Sequence, residues 1–317
     1  MDTATTPSSW REAGDTFLRA KRNLGRGDAT LEQYGEIVRQ FVAWMGDRPF
    51  GEVGVATVQE FLEYRRARSR CGDKTSGSTR NRWARSIGVF LRWLWRVEAL
   101  QSRLRPLEKC TEKKRVRRVP TPETLPQITD AVRKYAVILP PEERENLADI
   151  KVVIDNTGFR FREAHYLRVS DCNFISGELL LSDWEERPLK DHEERMVKMT
   201  EPCREVLMRR CMAQSWKPDA RLFQDFSLSH RRVLDAFKQA STAIGAGAYT
   251  LHALRGSFTT YNTAKFNEVE LMLQMGWATI TTARKWYHRG KQARLPVPNS
   301  IPPRPVDPPQ SNAQTEA

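Results

Sequence analysis

The sequence predicts a mainly α-helical protein with a small antiparallel β-sheet in its C-terminal part. Apolar residues recur at spacings of three and four along most of the chain. Only between Phe174 and Met199 does the pattern change to short apolar runs, and a Lys/Arg-rich stretch followed by Pro120 and Pro122 interrupts the helical period between the two parts. At 317 residues the chain has room for two domains, each with its own core.

Residues 1–108 are expected to be all-helical. Asp28 is placed to cap a helix in which Leu31, Tyr34, Val38, Phe41 and Trp44 share one face, and Thr57 with Glu60 has the form of a capping box opening a second helix through about Arg68. Ser78 opens a third. There Trp83, Ile87, Phe90, Leu91, Leu94 and Val97 form an apolar stripe, while Arg82, Arg85, Arg92 and Arg96 fall in a separate sector that can face phosphates. Trp93 and Trp95, set among leucines, are expected in the core.

Residues 109–122, with Lys113, Lys114 and Arg115 at their centre, form a basic linker, and residues 123–290 a mixed α/β domain. Here one helix starts near Pro122 with Thr121 as its cap, and another runs from about Pro141 to Asn156 before a turn at Gly158. Leu179 to Leu181 and Arg195 to Met199 are short strands joined by a loop containing Lys190. Helical periodicity returns at Glu201, Ser229, Leu251, Asn267 and about Thr279, and the Pro-rich residues 291–317 are expected to be a disordered or docking tail.

Charge narrows the partner. The chain carries 52 Lys+Arg against 39 Asp+Glu, a net +13 with a sequence pI of 9.7, which disfavours an ordinary neutral metabolic enzyme. Residues 1–122 hold 25 Lys+Arg against 14 Asp+Glu, net +11, so residues 123–317 carry only +2. A polyanion such as nucleic acid is the natural counterpart, because Lys and Arg that neutralise phosphates release condensed counterions. No run approaches the ~20 apolar residues of a membrane span, and the N-terminus lacks a basic-then-apolar leader. Five cysteines, an odd number without a CxxC, suggest neither a disulfide framework nor a zinc site, and the expected setting is a reducing cytoplasm.

Three clusters can carry chemistry. In Thr157-Gly-Phe-Arg-Phe-Arg-Glu163, Arg160 lies between two phenylalanines and needs an anion, either Glu163 or a ligand phosphate. In Leu251-His-Ala-Leu-Arg255, His252 and Arg255 are three apart and share a helix face. Third, Met275-Gly-Trp277 is followed by Thr281, Thr282 and then Tyr287-His288.

Taken in order, Arg160, Lys190, His252, Arg255, Trp277 and Tyr287 resemble the active-site set of the tyrosine recombinase (phage integrase) family. "TGFRFREA" resembles that family's TG-x-R-x-x-E box, "LKDHEERMV" its GKGNKERxV hairpin, "HALRGSFTT" its HxLRHxFAT segment, and "MGWATITTARKWYH" its closing box, with Trp277 as in Cre-like members. The helices "ATLEQYGEIVRQFVAWM" and "STRNRWARSIGVFLRWLW" are similar to the family's core-binding domain, so the likeness spans nearly the whole chain.

The resemblance implies a C-shaped clamp on double-stranded DNA, a homo-tetramer on two recombining sites, and no membrane association. Tyr287 would be the nucleophile, assisted by His252; Arg160 and Arg255 would stabilise the phosphate in the transition state. Lys190 would be the general acid, Trp277 a donor to the phosphate, and Glu163 the partner that orients Arg160. Exchange of one phosphodiester for another implies no cofactor: neither metal nor nucleotide. A type IB topoisomerase-like relaxation activity and a catalytically degenerate DNA-binding module of the same fold are the alternatives.

Overall fold

The computed structural model describes residues 6–69, 71–111, 118–183, 189, 194–263 and 265–284. Lys113, Lys114, Arg115, Lys190 and Tyr287, together with the whole tail, lie outside them. The chain divides into two compact units, residues 1–116 and 117–317.

The first unit holds four helices, α1 (Trp10–Asn23), α2 (Asp28–Met45), α3 (Val55–Arg68) and α4 (Gly77–Arg96). Trp10, Phe17, Phe41, Phe61 and Phe90 are buried at its centre and meet mostly edge to face, the geometry that aromatic quadrupoles favour. The apolar stripe of α4 is as expected through Leu94: Trp83, Ile87, Phe90, Leu91 and Leu94 are buried and Arg82, Arg85, Arg92 and Arg96 are exposed, but Val97, expected in the stripe, is the half-buried residue that ends the helix.

Helix α1 was not expected. Its buried residues are only Trp10, Ala13, Gly14 and Phe17, a stripe too short to stand out among charged neighbours. Its cap is Ser9, whose hydroxyl accepts from the Glu12 amide at 3.3 Å.

Three other helix starts move by one to three residues. Gly27 precedes α2, so Asp28 is its first residue and acts on the helix dipole. Before α3 it is the Gly54 amide that donates to the Thr57 hydroxyl, at 3.1 Å, and Ser76 rather than Ser78 caps α4. Trp93 packs on Phe17 and Phe90, but Trp95 is 39% exposed, on the side of α4 away from the stripe.

The second unit contains α5 (Thr124–Tyr135), α6 (Pro141–Thr157), α7 (Phe161–His165), β1 (Cys172–Asn173), β2 (Glu178–Leu181), β3 (Arg195–Lys198), α8 (Glu201–Ala213), α9 (His230–Ala243), α10 (Leu251–Tyr261) and α11 (Glu268–Met275). Residues 280–284 are again helical. The strands form one antiparallel sheet in the order β1-β2-β3, with Leu179 opposite Val197 and Leu181 opposite Arg195. Leu179, Leu181 and Val197 point into the core, as the period-two alternation requires.

Helix α6 is the central element, packed against α5, α8 and α10 and buried on most of its sides. Pro141 stands at its first position, and Gly158 ends it in the left-handed conformation. Helix α5 starts at Thr124, two residues later than expected: the Thr121 carbonyl accepts from the amides of Thr124 and Leu125. Phe258, Leu271 and Met275 form a small hydrophobic cluster of their own, joining α10 to α11.

Candidate active site

The site begins where α6 ends. Gly158 has φ +72°, and a Cβ there would lie 2.6 Å from the Met275 sulfur and 2.8 Å from the Phe258 ring. Glycine thus lets the chain pass hard against α10 and α11. That close approach presents the Gly158 carbonyl to Arg255, whose Nη1 donates to it at 2.5 Å.

Two residues on, Arg160 precedes α7, and Glu163 lies one turn inside that short helix. The Glu163 carboxylate is 6% exposed and collects cations from three elements. Its Oε1 accepts from Arg160 Nη1 at 2.5 Å, and its Oε2 from the Arg160 amide and from Arg195 Nη2, both at 2.8 Å. Arg255 Nη1 stands 3.8 Å from the same Oε2. The anion that Arg160 needs is therefore present within the chain.

Arg195, which opens β3, is a member of the cluster that the sequence reading missed. Its guanidinium sits over the Phe159 ring, 5.6 Å from the centroid, and its Nε donates to the Gln274 carbonyl at 3.4 Å. The one signal available was its place at the end of the hairpin segment, ahead of Met196 and Val197.

The electrostatics are unbalanced. Burial alone would raise the Glu163 pKa, but Arg195, Arg160 and Arg255 outweigh it and hold the carboxyl below its ordinary value. Arg255 is pushed down to about 9, by burial first and then by Arg160 and Arg195, against the pull of Glu163. It remains a cation at neutral pH. Three guanidiniums thus converge on one carboxylate, and each also donates to a backbone carbonyl.

These carbonyls come from the end of α11. Arg255 Nη2 donates to the Met275 carbonyl and Arg160 Nη2 to that of Gly276, the latter at 3.4 Å. Arg255 is fixed by both contacts and is 5% exposed, whereas Arg160 is 31% exposed and is the guanidinium open to a ligand.

Trp277 follows directly, half-buried against the small cluster of Phe258, Leu271 and Met275. His252 is exposed near the start of α10, on the wall of an open cavity of about 640 Å³ lined also by Tyr249, Thr250 and Gly256. The structure thus brings Arg160, Glu163, Arg255 and the Trp277 backbone to one place. It sets the His252 side chain on the exposed side of the helix whose buried side carries Arg255. Among the described residues no group of His, Cys, Asp or Glu could hold a metal ion, and no helix is long and apolar enough to cross a membrane.

A helical unit around a small three-stranded antiparallel sheet is the build of a tyrosine-type recombinase. The chain belongs to the phage integrase family, whose model matches residues 119–294. Solved structures share the fold. The Tn1549 transposon integrase in complex with circular intermediate DNA superposes with a TM-score of 0.69 at 16% identity, covering 90% of this chain and 99% of that one. A lambda integrase dimer bound to a COC′ core site gives 0.65 at 15% identity, over 93% and 99% of the two chains. For the XerH site-specific recombinase bound to palindromic difH substrate the values are 0.62 and 15%, over 90% and 83%. No curated protein sequence matches the chain.

Proposed function

We propose that this recombinase cuts and rejoins duplex DNA at specific sites through a 3′-phosphotyrosyl intermediate on Tyr287. The reading rests above all on the convergence of Arg160, Arg195 and Arg255 on Glu163 with Arg160 still 31% exposed, a set of fixed donors that suits a phosphodiester that gains charge as its phosphorus is attacked. A tyrosine hydroxyl, with an ordinary pKa of about 10, is a weak nucleophile at neutral pH and needs help to lose its proton. His252 is the group for that task. Arg160, the more open guanidinium, meets the nonbridging oxygens first, and Arg255 holds the far side of the pocket.

The departing 5′ oxygen needs a proton, which Lys190 supplies, and the Trp277 indole N–H donates to the phosphate. Because one phosphodiester replaces another of similar energy, religation requires neither ATP nor a metal ion. Arg82, Arg85, Arg92 and Arg96 grip the backbone from the first unit, joined by Lys113, Lys114 and Arg115 in the linker. Four copies would assemble on two sites, in a cytoplasmic, nucleoid-associated setting.

The test is a pool of nicked suicide duplexes with a randomised centre, from which covalent protein–DNA adducts are recovered and sequenced. An adduct that disappears in Tyr287→Phe supports the mechanism, and one that persists moves the nucleophile elsewhere. Salt-sensitive duplex binding with no adduct in the unaltered chain would leave the chain as a binding module. If adducts form and only supercoils are relaxed, without exchange between two duplexes, the topoisomerase reading wins.

A further inference from the structure

The geometry points to Arg195 as a positioning residue for the arginine pair, one that ties the β-hairpin strand to the site through Glu163. This inference rests on the recombinase reading above. Arg195 is 11% exposed, and it spans three pieces of chain. One nitrogen reaches Glu163 Oε2 on α7, another the Gln274 carbonyl near the end of α11, and the planar group lies over Phe159 in the turn after α6. Gly276 adds a constraint: a Cβ there would be 2.7 Å from Arg195 Nη1, so the backbone that accepts from Arg160 is shaped around the Arg195 guanidinium.

The contacts themselves argue that this third cation has a purpose. Arg160 by itself reaches both Glu163 oxygens, Nη1 to Oε1 and the backbone amide to Oε2, but both contacts are local to the turn into α7 and leave the carboxylate unattached to β3. Arg195 adds a charge-assisted donor to Oε2 from a distant strand, so the carboxylate is held from β3 as well as from its own turn. Arg160 is then held between Glu163 and the Gly276 carbonyl with 31% of its side chain exposed. A lysine at 195 could supply the charge but not the fork that serves Glu163 and Gln274 together, nor the flat face over Phe159.

Arg195 also begins β3, directly after the hairpin segment to which Lys190 belongs. Through it the strand leaving that hairpin is pinned to the same carboxylate as the arginines. Arg195 is thus a mechanical link between β3 and the arginine pair, and it acts through Glu163 rather than on the DNA itself.

The experiment compares the unaltered chain with Arg195→Gln, Arg195→Lys, Glu163→Gln and the Arg195→Gln/Glu163→Gln double variant on duplexes recovered from the nicked pool. Single-turnover adduct formation is measured at saturating protein, with duplex affinity measured separately. Arg195→Gln should slow adduct formation about a hundredfold, as misplacement of a catalytic group by about 1 Å does, and leave affinity within about twofold. Arg195→Lys should recover about tenfold of that loss, and the double variant should be no slower than Glu163→Gln alone because the two act as one unit.

Rates for Arg195→Gln equal to those of the unaltered chain would overturn the assignment. So would rate and affinity falling together, or a double variant slower by the product of the single effects. If Arg195→Gln does not fold, Arg195→Lys decides alone, since the assignment cannot survive a lysine variant that cleaves at the unaltered rate. Should the unaltered chain give no adduct, the recombinase reading fails and takes the role of Arg195 with it. An adduct matched by Arg195→Gln removes Arg195 only.

Discussion

Glu163→Gln takes the negative charge from beneath three guanidiniums, two of them almost wholly buried. Removing one partner from a buried ion pair costs about 3–5 kcal/mol, because the charge left behind keeps its desolvation penalty. An amide replacing the carboxylate would still accept from one arginine, but its NH2 would face another donor. For a unit of this size each kcal/mol moves the melting midpoint by about 2–4 °C, so a fall on the order of 6–20 °C is expected.

An anion should restore part of the loss. Inorganic phosphate at about a hundred times its dissociation constant stabilises by about 2.7 kcal/mol, and the variant, with one negative charge fewer beside the three guanidiniums, should gain more from it than the unaltered chain. The assay is a circular-dichroism melt in chloride and in phosphate, at matched ionic strength. A variant that melts with the unaltered chain and gains nothing extra from phosphate would show that Glu163 does not hold the cluster together.

Charge reversal at Arg85 or Arg92 should weaken duplex binding in small steps, each lost phosphate contact reducing the slope of log affinity against log salt by about 0.9, whereas Arg160→Ala should abolish adduct formation with binding largely kept; proportional losses in both would contradict that division. Gly158→Ala should destabilise by more than about 1 kcal/mol and slow cleavage, because the added methyl group meets Met275 and Phe258 at a positive φ; a melt and a single-turnover rate at the unaltered values would refute this. Lys151, buried on α6, donates to Asp155, Thr129 and the Leu125 carbonyl, so Lys151→Met should cost about 3–5 kcal/mol in a denaturant titration by stranding these acceptors. His165 has its pKa lowered, mainly by burial, so the folded chain binds a proton less readily than the unfolded one. Its contribution to stability is complete above the ordinary value of 6.5 and is lost as pH falls through the lowered one; stability measured from pH 7.5 to about 5 should fall less steeply in His165→Phe.

The parts of the molecule legible in the sequence are those set by local period or by short local contacts. The α4 stripe, the Pro141 and Gly158 ends of α6 and the two longer strands follow from spacing, capping and turn chemistry. Helix α1 did not show because Trp10 and Phe17 supply nearly all its burial, and the aromatic cluster that receives them comes from α2, α3 and α4. Helix starts at Asp28, Thr57 and Ser78 were misplaced because Ser, Thr and Asp serve equally inside the first turn and before it. In the site, Arg160 with Glu163 was legible as a local pair. Arg195 was not, since its partners are 32 and 79 residues away along the chain, and only the fold brings them within reach.

The hydrogen bonds of the arginine pocket join distant stretches of the chain. Arg255 reaches Gly158 across 97 residues, and Arg160 reaches Gly276 across 116. Contacts of such separation form only after long loops have closed, late in the order of folding. During synthesis, then, the N-terminal helices emerge while Arg255 and Arg160 still lack the carbonyls of Met275 and Gly276. In a nascent chain the arginine cluster is therefore incomplete until α11 and Gly276 have been made and have reached α7 and α10.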